Sequence, residues 1–118
     1  MSRTETVIYK IAPHALWAEA LAAGCMTGSE HDRRDGFIHF STRSQLAETA
    51  RRHFSGQADL VLLAVRVETL GAALRWEPSR GGDLFPHLYA PMPTMAVCRT
   101  WMLPLDGSGV PVLPEDLA

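Results

Sequence analysis

At 118 residues, with 47 % apolar and 20 % charged side chains, the chain carries enough hydrocarbon for one core and no length for a second of similar size. One domain over 1–118 is expected, with a globular core over about 6–104 and a tail over 105–118. A net charge of −2 and an isoelectric point near 6.2 argue against general nucleic-acid or membrane-surface binding, which draws on a basic excess. The eleven basic residues are nevertheless all arginine except Lys10.

Thr6 to Ile11 predicts a strand with Val7, Tyr9 and Ile11 on one face and Ile8 and Lys10 on the other. Pro13 suits the first turn of a helix and Gly24 its C-terminal cap, with Leu16, Ala20 and Ala23 at helical spacing between them. Thr27 to Gly36 is polar and turn-rich and reads as a surface loop. Phe37 to Phe40 reads as a short strand running into a second helix, opened by a Thr42/Gln45 capping box and closed near Gly56. Leu46, Ala50, His53 and Phe54 form its stripe, and Arg51-Arg52 complement the dipole at its end.

Leu60 to Val67 is almost continuously apolar and so predicts a central strand. Leu74 to Glu77 and Val97 to Leu103 predict further strands. Between them lie a Gly-Gly loop over Ser79–Asp83, fit to act as a lid, and the segment Phe85-Pro86-His87-Leu88-Tyr89. Helices and strands do not alternate, which favours an α+β fold with mixed or antiparallel sheets. Cys25 and Cys98 lie far apart and read as small buried hydrophobes in a reducing compartment. The N-terminus lacks an apolar signal core and no run approaches the ~20 residues that span a bilayer, so a cytoplasmic location is expected.

Candidate chemistry concentrates in two segments. Strand alternation from Gly36 to Thr42 puts Phe37, His39 and Ser41 on one face, directly before a helix N-terminus whose N–H groups favour an anion. His87 and Tyr89 repeat the two-residue spacing between Pro86 and Pro91. Each histidine has an equally ordinary alternative as a hydrogen-bonded core residue. Glu77 offers a carboxylate for ribose or for acid–base work, or else an ion pair with Arg75 or Arg80. None of His14, His31, His39, His53 and His87 forms HxH or HExxH, so no metal is expected; a cluster of His39, His87 and an acid is the form one would take. Neither a GxSxG elbow at Ser41 nor a phosphate loop at Gly81-Gly82 is present.

Taken together, Ile8-Tyr9, Gly36 to Thr42, Asp59 to Leu63, Arg75-Trp76-Glu77 and Phe85 to Tyr89 resemble the bacterial family catalogued as domain of unknown function 952. That resemblance implies a fold similar to the ADP-ribosyltransferases: two small sheets around a cleft that in the enzymes holds NAD, with two helices in the N-terminal half. It places Lys10 where those enzymes grip a ribose with His or Arg, His39 beside the nicotinamide, and Ser41-Thr42 at the following helix. His87 falls near their catalytic glutamate, whose negative charge an imidazole does not supply. RNA 2′-phosphotransferases share the fold, use NAD and lack that glutamate, which the Lys10, His39, Ser41 and His87 set resembles in residue type. The implied function is an NAD-dependent transferase, with catalytic His39 and His87 and ligand-binding Lys10, Ser41, Thr42, Glu77 and Tyr89. The alternative is a non-catalytic module for a nucleotide or other phosphorylated ligand.

Overall fold

The computed structural model describes residues 5–117, with Arg80 described by its backbone alone. Strand β1 (Val7–Pro13) leads into helix α1 (His14–Ala23), and β2 (Cys25–Met26) follows. Helix α2 (Glu30–Asp35), strand β3 (Ile38–His39) and helix α3 (Leu46–Phe54) complete the first half. The second half holds β4 (Leu60–Arg66), β5 (Leu74–Pro78), β6 (Leu84–Leu88), β7 (Met92–Pro93) and β8 (Val97–Leu103).

All strand pairs are antiparallel and fall into three sheets, ordered β1-β4-β8, β3-β6-β5 and β2-β7. Among the described residues there are thus three α-helices, besides short 3-10 turns, rather than the two helices expected, and a two-stranded ribbon accompanies the two larger sheets. The added helix, α2, replaces the predicted loop. Its six residues are too few for an apolar stripe to show, and its start is written instead in Ser29 and Asp32, which cap each other.

The apolar run of β4 has a simple physical origin. Val61, Leu63 and Val65 enter one core with Ile8, Ala12, Trp17, Ile38, Phe40 and Leu88. Leu60, Leu62 and Ala64 enter a second with Tyr9, Ile11, Leu46 and Ala50 under α3. Both faces of the strand are therefore covered, and each fully buried aliphatic side chain contributes about 1.5–3 kcal/mol relative to exposure.

The other face assignments hold as well: Ile8 packs opposite Tyr9 and Ile11, and Ile38 and Phe40 turn inward. The predicted strand at Phe37–Phe40 shortens to Ile38–His39: Phe40 still donates to the Pro86 carbonyl opposite it, but proline has no N–H to return the bond. Cys98 differs from expectation too. It is exposed on edge strand β8, with its thiol on the Ala64 carbonyl at 3.4 Å, and both cysteines are free. Among the described residues no helix is long and apolar enough to cross a membrane.

One link positions the site. Tyr9 and Ser41 exchange two backbone hydrogen bonds of 2.8 Å, fastening the segment after β3 to the free edge of β1. The small sheet thereby hangs from the large one, and Lys10 is carried alongside His39.

Candidate functional site

Ser29 caps α2 by accepting the Asp32 N–H at 3.1 Å, while Asp32 Oδ2 accepts the Ser29 N–H at 2.9 Å. This reciprocal cap turns Asp32 inward, where it is 2 % exposed. Its Oδ1 accepts the His39 N–H at 3.1 Å and His39 Nδ1 at 2.6 Å, and Oδ2 meets Lys10 Nζ at 2.9 Å. Lys10 also donates to the His39 carbonyl at 2.8 Å. A carboxylate and an ammonium withdrawn from water are tolerable when their hydration is replaced in this way.

Burial by itself would push the Asp32 carboxyl up, but the His39 ring, the Lys10 charge and the Ser29 N–H hold it far below the usual carboxylate range. Burial pushes the Lys10 ammonium down, and Asp32 opposes that shift. Gly28 leaves room for the acid. A Cβ there would stand 2.7 Å from Asp32 Cβ, and its φ of +102° suits only glycine.

The second imidazole arrives through strand pairing. His39 lies opposite His87 in the β3–β6 ladder, and Arg75 lies opposite His87 across β5–β6. Glu77, two residues beyond Arg75 and so on the same face, is a diagonal neighbour of His87. His87 Nδ1 donates to Glu77 Oε1 at 2.8 Å, and the Tyr89 hydroxyl donates to the same oxygen at 2.7 Å. The bond from Tyr89, then that from His87, lowers the Glu77 carboxyl, while Glu77 raises the Tyr89 phenol. Arg75 stacks over the Tyr89 ring at 5.0 Å.

The two imidazole centroids are 5.5 Å apart and edge-on. Phe37 stacks on His87 at 4.1 Å and leans on His39 at 4.5 Å, which restrains both rings. Both rings line an open cleft of about 740 Å³, together with Lys10 and Ser41 and with His53 and Thr49 of α3. That volume lies within the range of small-molecule sites.

The cleft thus gathers four of the seven residues singled out in the sequence. Glu77 and Tyr89 stand behind His87 and do not line it. Ser41 Oγ shares a hydrogen bond with Thr49 Oγ1 at 3.1 Å. Thr42 is buried, and its N–H is taken by Gln45 Oε1 at 2.9 Å, so one donor of the helix start is already satisfied. Ser79 lines the cleft from the Gly-Gly segment, which closes on itself as a turn through Gly82 N–H to Ser79 O and Ser79 N–H to Asp83 O.

Sequence reasoning missed three members of the neighbourhood: His31, Asp32 and Asp35. Asp35 Oδ2 lies 3.0 Å from His39 Nε2 and 3.6 Å from His31 Nε2, and the His31 ring stacks on His39 at 4.6 Å. The signal for Asp32 was Ser29-x-x-Asp32, a capping pattern with aspartate in the place usually held by Glu or Gln. His31 and Asp35 show the helical spacing of four, masked by the absence of any apolar residue between them.

A carboxylate only accepts hydrogen bonds, so the two couples differ in what their rings can hold. His39 has a carboxylate at each nitrogen, Asp32 at Nδ1 and Asp35 at Nε2. His87 has one, at Nδ1, which leaves the lone pair on Nε2. Two imidazoles side by side, each oriented by a carboxylate, can give and take a proton on one bound molecule.

Comparison with known proteins gives a family and a fold. The family model described as "Protein of unknown function (DUF952)" matches residues 11–100. The crystal structure of protein CC0527 from Caulobacter crescentus is 53 % identical, with a TM-score of 0.88 over 91 % of this chain and 94 % of that one. Its solution NMR structure, also at 53 % identity, gives a TM-score of 0.84 over 97 % and 98 %. No curated protein matches the sequence.

Proposed function

This chain belongs to the DUF952 family of proteins of unknown function, and on that footing we propose that its cleft takes a nucleotide or similarly phosphorylated small molecule and transfers a group from it. His39 and His87 are the proton-handling pair. The observation that carries the reading is the pair itself: two imidazoles on facing strands, each held at Nδ1 by a carboxylate and both opening on one cleft. Such couples fix tautomer and ring orientation, a condition of efficient proton transfer rather than of simple packing.

NAD is the first candidate donor, and the reason for choosing it is the likeness to ADP-ribosyltransferases and RNA 2′-phosphotransferases that the sequence resemblance implies. In that chemistry the bond between nicotinamide and ribose breaks, nicotinamide leaves with the electron pair, and an acceptor oxygen bonds to the ribose carbon. His87 Nε2 would receive the acceptor's proton. His39 would orient the phosphate-bearing part of the ligand from the cleft wall, and Ser41 would supply a hydroxyl to the ligand. Glu77 acts through His87, because it does not line the cleft.

A second reading, binding without turnover, is favoured by the state of Lys10. Two of its donors are engaged by Asp32 and the His39 carbonyl, so its charge is largely neutralised within the protein. Thermal shift with NAD, ADP-ribose, AMP and a 2′-phosphorylated RNA oligonucleotide identifies the ligand class, since binding to the native state alone raises Tm. Nicotinamide release then separates the readings: turnover that falls about 10²–10⁴-fold in His39→Ala and in His87→Ala supports transfer. Stabilisation without conversion supports the binding module. If no member of the panel at millimolar concentration shifts Tm or is consumed, both readings fail.

A further inference from the structure

We propose that His31, Asp35 and His39 form a binding site for a divalent transition-metal ion of the zinc type, at the rim of the cleft. His31 Nε2, His39 Nε2 and Asp35 Oδ2 are the donors, and one ligand atom from each of the three residues lies within 4.8 Å of the others. A tetrahedral ion about 2.0–2.2 Å from each ligand needs its donors a little over 3 Å apart. The Asp35 oxygen is 3.0 Å from one imidazole nitrogen and 3.6 Å from the other. The remaining pair, the two imidazoles, has its ligand atoms within 4.8 Å, and closing that gap is the movement an ion requires.

Local structure explains the convergence. His31 and Asp35, four residues apart, share one face of α2. The helix stops at Gly36, in the left-handed conformation with φ +88°, and the reversed chain returns His39 to the same face from β3. His39 is also prepared from behind. Its Nδ1–H is held by the buried Asp32 carboxylate, which leaves Nε2 as the coordinating atom and fixes the plane of the ring. A carboxylate behind a ligating histidine is the usual outer support of a zinc ligand.

The donor set decides the class of ion. Two imidazoles and one carboxylate suit Zn²⁺, Co²⁺ or Ni²⁺ and are too poor in oxygen for Ca²⁺ or Mg²⁺. Three protein ligands leave a fourth position for water or a ligand oxygen. His31 and His39 line the cleft, so that position would be offered to whatever the cleft holds.

One neighbour opposes the ion. Arg34 donates to His31 Nδ1 at 2.6 Å, which selects the tautomer with hydrogen on Nε2. Metal binding must therefore release Arg34 and move that proton to Nδ1. Both side chains are exposed, so the exchange takes place in water. Arg34 acts as a competitor, and its removal should improve the site.

The inference is separate from the nucleotide reading, since the ion is tested alone. Tag-free protein freed of metal by a chelator is titrated with Zn²⁺ by calorimetry and with Co²⁺ by visible absorption. We expect one ion per chain, a Co²⁺ spectrum of low coordination number, and affinity lowered more than about tenfold in His31→Ala and in Asp35→Ala. Arg34→Gln should bind more tightly than the parent. All three substitutions fall on exposed positions, and circular dichroism checks that the fold is kept. Absence of binding at submillimolar Zn²⁺, or unchanged binding in the His31→Ala/Asp35→Ala double variant, overturns the proposal. In that event the nucleotide experiments stand on their own.

Discussion

The two carboxylate–imidazole couples are built in opposite senses. In the first, the acid is the hidden member: Asp32 is 2 % exposed while its partner His39 is 29 % exposed. In the second the ring is hidden, with His87 at 6 % and Glu77 at 33 %. A buried acid surrounded by donors makes the first couple part of the framework that joins β1, α2 and β3. The second couple has its acid at the surface of a strand pair, where water competes for the carboxylate. Removing one or the other acid should therefore separate stability from function.

The largest expected effect follows from Asp32→Ala. It leaves the Lys10 ammonium buried without its counter-charge and should destabilise the protein by about 3–5 kcal/mol, read from urea denaturation. Lys10→Met alone should cost less, because Asp32 keeps its His39 and Ser29 donors, and adding it to Asp32→Ala should restore part of the loss. Strictly additive costs would show that the pair does not act as a unit. Loss of nucleotide stabilisation in a Lys10 variant would then report on the framework as much as on ligand contact.

Next comes Gly28→Ala, which adds a methyl against Asp32 at a positive φ and should cost about 1–3 kcal/mol. Gly107→Ala, where a Cβ meets open space and φ is not positive, is the control. Equal Tm for the two would break the claim that Asp32 is held in a close-fitting niche.

The pH dependence is smaller but specific in sign. Asp32 has a carboxyl held low in the folded state, so its contribution is fully present above the unfolded-state value near 3.9. It is lost as pH falls from there toward the folded value, with a slope of about 1.4 kcal/mol per pH unit for one proton. Urea melts over this acid range should lose that slope in Asp32→Asn.

Least perturbing for the fold is Glu77→Gln, which should leave Tm at that of the parent. Its effect belongs to His87, whose Nδ1–H loses a charged acceptor. Nitrogen chemical shifts of the His87 ring should report a changed tautomer balance, and any turnover should fall with Tm unchanged. A large drop in Tm would place Glu77 in the framework after all and erase the contrast between the couples.

Much of the fold was legible because side-chain periodicity follows from local geometry. The alternation in Val7 to Ile11 and in Phe37 to Ser41, the unbroken apolar run of β4 and the cap at Thr42 and Gln45 each needed no knowledge of distant neighbours. The α+β class followed from their order. Helix α2 was not legible, since six polar residues leave no stripe, and the exposed thiol of Cys98 depended on β8 lying at a sheet edge.

What only the tertiary structure decided is which polar groups share space. The pairing of β3 with β6 sets the two imidazoles 5.5 Å apart, and the Tyr9–Ser41 bridge carries Lys10 to Asp32. Strand register and the joining of two sheets are collective outcomes of burying both faces of β4. They depend on contacts between residues tens of positions apart, and a pattern read locally along the chain does not contain them.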